Sequence, residues 1–489
     1  MLLTSLIKDL AYTLLKGDLH TEISSLAYDS REVKAGGVFV AISGFSVDGH
    51  RFIDKALELG ATVIVVEKDF RVTADVTVLR VDDTREALAR LAANFYQRPT
   101  EQMNLLGITG TNGKTSITYF LKSIFEQTGT SLGIIGTIGT VIGDRTFQNK
   151  NTTPESLNLQ HIFADMIEAH TKHCVMEVSS HALNLNRVAH SSFNTGIFTN
   201  LTPDHLELHH TMEEYFEAKA KLFAMTTDYN IINADDPYGK ILMDRLRNQG
   251  PGLITYAIEQ EADIYATDIS YFADYTTYTV NTPKGSIPIM VNLPGAIYVY
   301  NSLAAIATAY CNQFSLQQIA DGIAAVTGIK GRLEVVYQDE DNKIIVDFAH
   351  TEDSLEKALT TIRPFTAGKI ILVFGVYAAD GESGTEKRRS MAKVAATFAD
   401  FSVITSDNPK EQDNTLIIRE IVEGIEAYHG AYEAVVDRRD AIAFAIEISQ
   451  KGDVILIAGK GHETTQIIGK TEIPFNEPEI VKELMRKTK

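Results

Sequence analysis

Apolar and polar positions along the chain fall into three blocks in which short strands alternate with amphipathic helices. In the first, Val63-Ile64-Val65-Val66 is a continuous apolar run of strand length, and residues 85–97 repeat apolar side chains at helical spacing. Tyr96-Gln97-Arg98-Pro99-Thr100 carries helix-stop chemistry and predicts a linker. The second block opens with an apolar strand over 104–109, a glycine-rich loop and a helix over 114–127. Buried strands are expected again at 174–178 and 195–199. Such alternation implies a mainly parallel sheet covered by helices on both faces. From Gly331 onward the rhythm repeats, with strands expected at 343–348, 369–374, 401–405 and 453–458. Right-handed crossovers make this a second doubly wound unit. The expected fold is α/β in three domains, 1–99, 100–330 and 331–489. The central one is a P-loop mononucleotide-binding sheet domain and the last is Rossmann-like.

Composition narrows the class. A chain of 489 residues exceeds one core, and 44% hydrophobic content describes a folded protein. The net charge of −19 argues against a general nucleic-acid binder. Cys174 and Cys311 lack metal-site spacing, which argues against a disulfide framework or a structural zinc site. Charge arrives at Lys8 and Asp9, too early for a signal-peptide core, and no apolar run approaches the roughly 20 residues that span a bilayer. A cytoplasmic protein is expected.

The glycine-rich loop, Gly110-Thr111-Asn112-Gly113-Lys114-Thr115, lies between a predicted strand and a predicted helix, the context that gives such a motif meaning. Its glycines let backbone N–H groups converge on phosphate oxygens, the helix N-terminus favours negative charge, and Lys114 neutralises it. Thr115 offers a hydroxyl to Mg²⁺. Ile108 stands where a strict Walker A pattern has its first glycine.

A metal-bound nucleotide needs further ligands at strand ends near the loop. Glu177 closes a predicted apolar strand, where a carboxylate is costly unless paired or liganded, and a ligand role is favoured over a salt bridge. Asp204-His205 follows the strand ending near Thr199; His205 is read equally well as a turn cap or a ligand. On a helix over 212–225, Lys219 shares a face with Tyr215, Phe216, Leu222 and Phe223. Apolar surroundings favour its neutral amine, which can take up CO₂ as a carbamate. From the face pattern alone, snorkelling of the ammonium to water is the favoured reading.

Taken together these residues resemble the Mur ligase family, most of all the branch adding the third residue of the muramoyl peptide. The similarity spans nearly the whole chain. It includes Asp29-Ser30-Arg31 and Gly44 to His50, then the phosphate loop, Asn151 to Glu155, Met176 to Leu183 with Arg187, and Asp204-His205. Further on come Gly331-Arg332-Leu333-Glu334, Asp347 to Thr351, Asp407-Asn408-Pro409-Lys410 and Gly459 to Glu463. The resemblance implies a UDP-sugar domain, a central ATPase-like domain and an amino-acid domain. It implies ATP and Mg²⁺ as cofactors. The implied reaction activates the peptide carboxylate of UDP-N-acetylmuramoyl-L-alanyl-D-glutamate as an acyl phosphate, which the amine of a free amino acid then attacks. This is a step of peptidoglycan precursor synthesis, with meso-diaminopimelate ahead of L-lysine as the amino acid. A monomer with no nucleic-acid or membrane partner is implied. Carried over residue by residue, Lys114, Glu177, His205 and Lys219 are catalytic. Thr115, Glu177, His205 and a carbamylated Lys219 serve the metal, and the last assignment reverses the snorkelling reading. Asn301, Arg332 and Asp347 join the loop around ATP. Ser30, Thr152, Thr153, Ser179 and Arg187 hold the UDP-sugar peptide, and Asn408, Lys410, Gly459 and Glu463 the amino acid.

The pattern breaks in three places. Residues 375–389 replace the family's Gly-Gly-Asp-Arg-Asp loop and leave no clear counterpart to its arginine. Lys410 stands for an arginine, exchanging a bidentate fork for a point charge. Tyr298 stands for an asparagine. The alternatives are a paralogous ligase with another amino acid or acceptor, a hydrolysing P-loop ATPase, and a nucleotide-gated scaffold. A dinucleotide site at Gly459 to Thr464 is rejected, because 465–468 reads as extended and supplies no helix N-terminus.

Overall fold

A computed structural model describes residues 1–44, 47–70, 74–379 and 381–488. Phe45 and Ser46 of the Gly44 to His50 motif and Asp380 of the divergent stretch lie outside the described residues. Among the described residues the N-terminal sheet has five strands, ordered Thr13–Lys16, Thr77–Arg80, Ala61–Val66, Gly37–Val40, Leu26–Ala27. Only its first pair is antiparallel. Helix Thr84–Phe95 packs on it through Leu88, Leu91 and Ala92. Asp83 caps that helix by accepting from the N–H groups of Arg85 and Glu86. The helix ends where Gln97 and Arg98 turn left-handed, at φ 60° and 53°, two residues short of the expected limit.

The central sheet has eleven strands. The phosphate-loop strand Asn104–Thr109 lies in its middle, parallel to His173–Glu177 on one side and Phe193–Phe198 on the other. Both ends of this sheet carry antiparallel strands that the sequence pattern does not predict. They are Ile264–Tyr271, Thr276–Thr282 and Gly285–Val291 at one end, and Gly139–Ile142 with Arg145–Phe147 at the other. Thr276–Thr282 alternates buried with partly exposed side chains and Arg145–Phe147 is exposed throughout, so such strands lack the apolar runs that mark the parallel ones. The helix expected over 212–225 is α-helical only over Met212–Ala220 and tightens to a 3₁₀ turn over Lys221–Ala224. Leu222 and Phe223 there pack against the glycines of the two central strands, Gly107 and Gly196.

The C-terminal sheet is ordered Glu334–Gln338, Lys343–Asp347, Val454–Ala458, Ile370–Phe374, Phe401–Ile404, Tyr432–Ala434, and is parallel except for its first pair. The four predicted strands are all present. Helix Gly381–Phe398 begins inside the divergent stretch 375–389, whose second half is therefore helical. Arg438 and Glu477, both with side chains 0% exposed, tie the last helix to this domain through a 2.7 Å ion pair. Residues 465–468 form a strand, paired with Thr471–Pro474.

Candidate functional site

Strand Asn104–Thr109 delivers the chain into a loop that only glycine permits at two points. Gly110 has φ 147° and Gly113 φ 94°, and a Cβ would run into Thr199 at the first and the Asn301 amide at the second. Neighbouring strand ends hold the loop: Thr111 N–H donates to the Asn200 carbonyl and Asn112 N–H to Asn200 Oδ1, both at 2.9 Å. Thr199 Oγ1 donates to the Asn112 carbonyl at 2.7 Å. Helix Lys114–Gln127 starts directly at Gly113, so its free N–H groups and positive dipole end face the cavity. Lys114 Nζ lies 2.8 Å from the carbonyls of Gly110 and Thr111. Burial lowers its pKa, opposed by the nearby Glu177 and Asp204.

Glu177 is buried and accepts three groups of donors. Thr115 Oγ1 reaches its two oxygens at 3.1 and 3.2 Å, Thr137 N–H one at 3.1 Å, and Thr137 Oγ1 the other at 2.9 Å. These donors satisfy the buried carboxylate, which would otherwise be costly to bury. Arg332, from the C-terminal side, brings Nη2 within 3.3 Å of Thr115 Oγ1. Among the described residues no three His, Cys, Asp or Glu side chains converge as a metal cage. Magnesium bound through nucleotide phosphates needs only one or two hard protein oxygens, and the Thr115 hydroxyl and Glu177 carboxylate fit that requirement.

Lys219 does not snorkel. It is 2% exposed, donates to the Gly110 carbonyl at 2.9 Å, and sits 4.5 Å above the Tyr215 ring. The phosphate loop lies over the helix face it shares, and the ammonium is buried against it. Burial and the neighbouring Lys114 push its pKa well below the ordinary lysine range, with Asp204 opposing. His205 lines the cavity in a left-handed conformation, φ 54°, with Nε2 3.3 Å from Asp204 Oδ2. His181 packs edge-on against it, ring centroids 5.0 Å apart. Burial holds His181, His209 and His350 down to about 4, so all three are neutral at neutral pH.

The cavity spans about 290 Å³ between the central and C-terminal sheets. Of the sequence-predicted residues it gathers Thr111 to Thr115, Thr152, Glu177, Ser179, His205, Asn301, Arg332 and Asp347. Asp347 accepts from the N–H groups of Leu333 and Ala349 at 2.6 and 2.8 Å, which fixes the turn that presents Arg332. Tyr298 also lines the wall. Thr153 is buried behind the rim, donating to the Glu177 carbonyl at 2.7 Å, and Arg187 donates to the Thr153 carbonyl at 3.1 Å. Ser30 sits on the N-terminal sheet domain, outside this cavity.

Asn408, Lys410, Gly459 and Glu463 form a separate group that does not line the cavity. Asn408 Nδ2 donates to Glu463 Oε2 at 3.1 Å. Gly459 has φ 117°, and a Cβ there would lie 2.6 Å from Asp407 Oδ2. Lys410 is exposed and left-handed, φ 50°. The residue that organises the group is one sequence reasoning passed over: Lys460, fully buried, donates to Glu463 Oε2 at 2.6 Å and to Asn408 Oδ1 at 3.1 Å. Its flanking glycines were the available signal. Asp353, which no sequence motif marks, accepts from the Asn112 side chain at 2.9 Å across the cleft. Lys387 is a third, and its run of charges, Glu386-Lys387-Arg388-Arg389, reads as a solvated helix face.

Comparison with known proteins gives one consistent answer. Residues 22–96 match the family model "Mur ligase family, catalytic domain", 108–309 "Mur ligase middle domain", and 331–461 "Mur ligase, glutamate ligase domain". An Alkaliphilus metalliredigens protein named UDP-N-acetylmuramoyl-L-alanyl-D-glutamate–2,6-diaminopimelate ligase is 42% identical over 486 residues, 99% of this chain and 98% of that one. A Clostridioides difficile protein of the same name is 42% identical over 487 residues, 100% of both. A solved structure of a ligase with this name aligns at TM-score 0.71 and 28% identity, covering 100% of this chain and 99% of that one.

Proposed function

The chain belongs to the Mur ligase family and is an ATP-dependent ligase, and from that premise we propose that it joins 2,6-diaminopimelate to UDP-N-acetylmuramoyl-L-alanyl-D-glutamate. The reading is carried by one observation: Lys114, Thr115 and Glu177 of the central domain share a cavity with Arg332 and Asp347. A triphosphate seated there meets cations from two directions. The loop N–H groups and Lys114 hold the β- and γ-phosphates, and Arg332 approaches from the other wall. Magnesium, when bound, neutralises phosphate charge, with Thr115 and Glu177 as one set of ligands and His205 with a carbamylated Lys219 as the other. The peptide carboxylate attacks the γ-phosphorus, ADP leaves, and the amine of the incoming amino acid displaces phosphate from the acyl phosphate. Positioning and charge neutralisation supply most of the acceleration, since the protein forms no covalent bond.

Domain roles follow the same reading. Residues 1–99, with Ser30, take the uridine end; 100–330 take ATP, with Thr152, Thr153, Ser179 and Arg187 along the muramoyl peptide; 331–489 take the amino acid. Asn408, Gly459 and Glu463 receive it, with Lys460 fixing the first and third. Lys410 offers the far carboxylate a point charge without the planar fork of an arginine, which favours an acceptor with a second carboxylate over L-lysine. Among the described residues no helix is long and apolar enough to cross a membrane, and a cytoplasmic, monomeric enzyme is proposed.

An amino-acid panel with phosphate release as readout tests the proposal. Diaminopimelate is expected to give the highest kcat/KM, with L-lysine well below it. Turnover with neutral monocarboxylate acceptors alone removes diaminopimelate. ATP consumption indifferent to the UDP-dipeptide removes the ligase assignment of this substrate.

A further inference from the structure

Helix Gly381–Phe398 packs within the C-terminal domain, yet one of its side chains crosses the cleft. Lys387 Nζ lies 3.2 Å from Asp204 Oδ1 of the central domain, with the two side chains only 15% and 6% exposed. The Tyr377 hydroxyl accepts from the same ammonium at 2.7 Å, and the Tyr377 ring lies beneath it at 4.2 Å. Three contacts therefore fix one cation at the domain boundary. The other oxygen of Asp204, Oδ2, is the one 3.3 Å from His205 Nε2. Asp204 thus bridges Lys387 to His205, whose left-handed backbone persists only where surrounding contacts support it. The loop carrying Tyr377 is itself pinned on the amino-acid side, because Ala378 N–H donates to the Asn408 carbonyl at 3.0 Å. Tyr377 and Lys387 both fall within 375–389, the stretch where the family pattern breaks.

We propose that Lys387 is a positioning residue: braced by Tyr377, it holds Asp204 and through it orients the His205 ring, so that the metal side of the cleft is complete only with the C-terminal domain docked. The proposal rests on the reading of the cleft as a nucleotide and metal site. It adds that this chain couples the loop against Asn408 to His205 through a tyrosine–lysine strut. Lys387 contacts no reacting atom in this scheme. A surface ion pair contributes little, but one member of a buried pair left alone is poorly tolerated. The arrangement therefore responds to loss of either partner.

The test uses the full-length protein as Lys387→Met, Lys387→Arg and Tyr377→Phe. Two quantities are read: Mn²⁺ affinity in the presence of ADP, by loss of the free-ion EPR signal, and ligation kinetics by phosphate release. Lys387→Met is expected to weaken Mn²⁺ binding about tenfold and lower kcat by about 10–100-fold, the range seen when support of a metal ligand is removed, with KM for ATP little changed. Lys387→Arg keeps the charge and regains most of both, and Tyr377→Phe falls between. Binding of the UDP-dipeptide reports whether each variant is folded; if Lys387→Met is not, Tyr377→Phe decides by the same two readouts. Unaltered Mn²⁺ affinity in the deciding variant, whatever its kcat, overturns the proposal, as does a folded Lys387→Arg that recovers neither quantity. Failure of the ligase reading shows instead in the unaltered protein, as phosphate release that ignores the amino acid.

Discussion

Replacing Lys219 separates two accounts of a buried lysine. In one, its ammonium only donates to the Gly110 carbonyl and rests on Tyr215. In the other, the amine loses its proton, adds to CO₂ with release of H⁺, and becomes an anionic oxygen donor beside the phosphate loop. Burial and Lys114 both favour the neutral amine the second account needs. Lys219→Met keeps length and apolar volume while removing the nitrogen. The Gly110 carbonyl keeps its 2.8 Å partner Lys114, so no acceptor is orphaned. The lost hydrogen bond costs about 1 kcal/mol, offset by no longer burying a nitrogen base, so stability changes by only ~1 kcal/mol. Loss of an anionic ligand at a site of charge transfer lowers kcat by roughly 10²–10³-fold. Phosphate release measures this, with UDP-dipeptide affinity as the control. Lys219→Ala, which leaves space where methionine fills it, is expected to recover activity with formate or acetate, and Lys219→Met is not. A Lys219→Met enzyme turning over near the wild-type rate refutes the carbamate, as does Lys219→Ala that short carboxylates do not restore.

Three further outcomes are expected. Glu477→Gln strands the buried Arg438 guanidinium and lowers the stability of the C-terminal domain by about 3–5 kcal/mol in urea unfolding, part of which Arg438→Met in the same chain restores. Burial holds His181, His209 and His350 at about 4 and His462 at about 3, below the unfolded value of about 6.5. The unfolded chain then binds more protons, so stability present above about pH 6.5 is lost progressively as pH falls toward about 4, and urea midpoints should drop across that window. Gly459→Ala, strained at φ 117° and crowding Asp407, is expected to raise KM for the amino acid about tenfold while nucleotide binding holds, as separate titrations can show.

The sequence made the parallel strands legible because burial on both faces writes them as apolar runs, as at 104–109 and 370–374. The antiparallel edges carry one solvated face, and strands such as Gly285–Val291 with its Pro288 offer no such run. The phosphate loop was readable because its chemistry is contiguous. Lys219 was misread from its face pattern, since a helical wheel shows which residues are neighbours on the helix but not what the loop from another strand lays over them. Lys387 was invisible for a related reason. Its burial depends on Asp204, 183 positions away on another domain, and only the docking of two sheets converts a charged helix face into an interior one. Lys460 lies in a recognisable glycine-flanked motif, but its partners Asn408 and Glu463 are 55 positions apart and meet only in the folded domain.

The placement of the phosphate-loop strand has a consequence for biosynthesis. Asn104–Thr109 finds its flanking partners at 173–177 and 193–198, so about ninety residues beyond it must leave the ribosome before both of its edges are covered. Until then an apolar strand with two open edges is exposed, the kind of segment that invites aberrant pairing and slow, non-local assembly. Nascent chains halted before Phe193 should therefore carry every loop residue from Gly110 to Thr115 yet bind chaperones in preference to nucleotide.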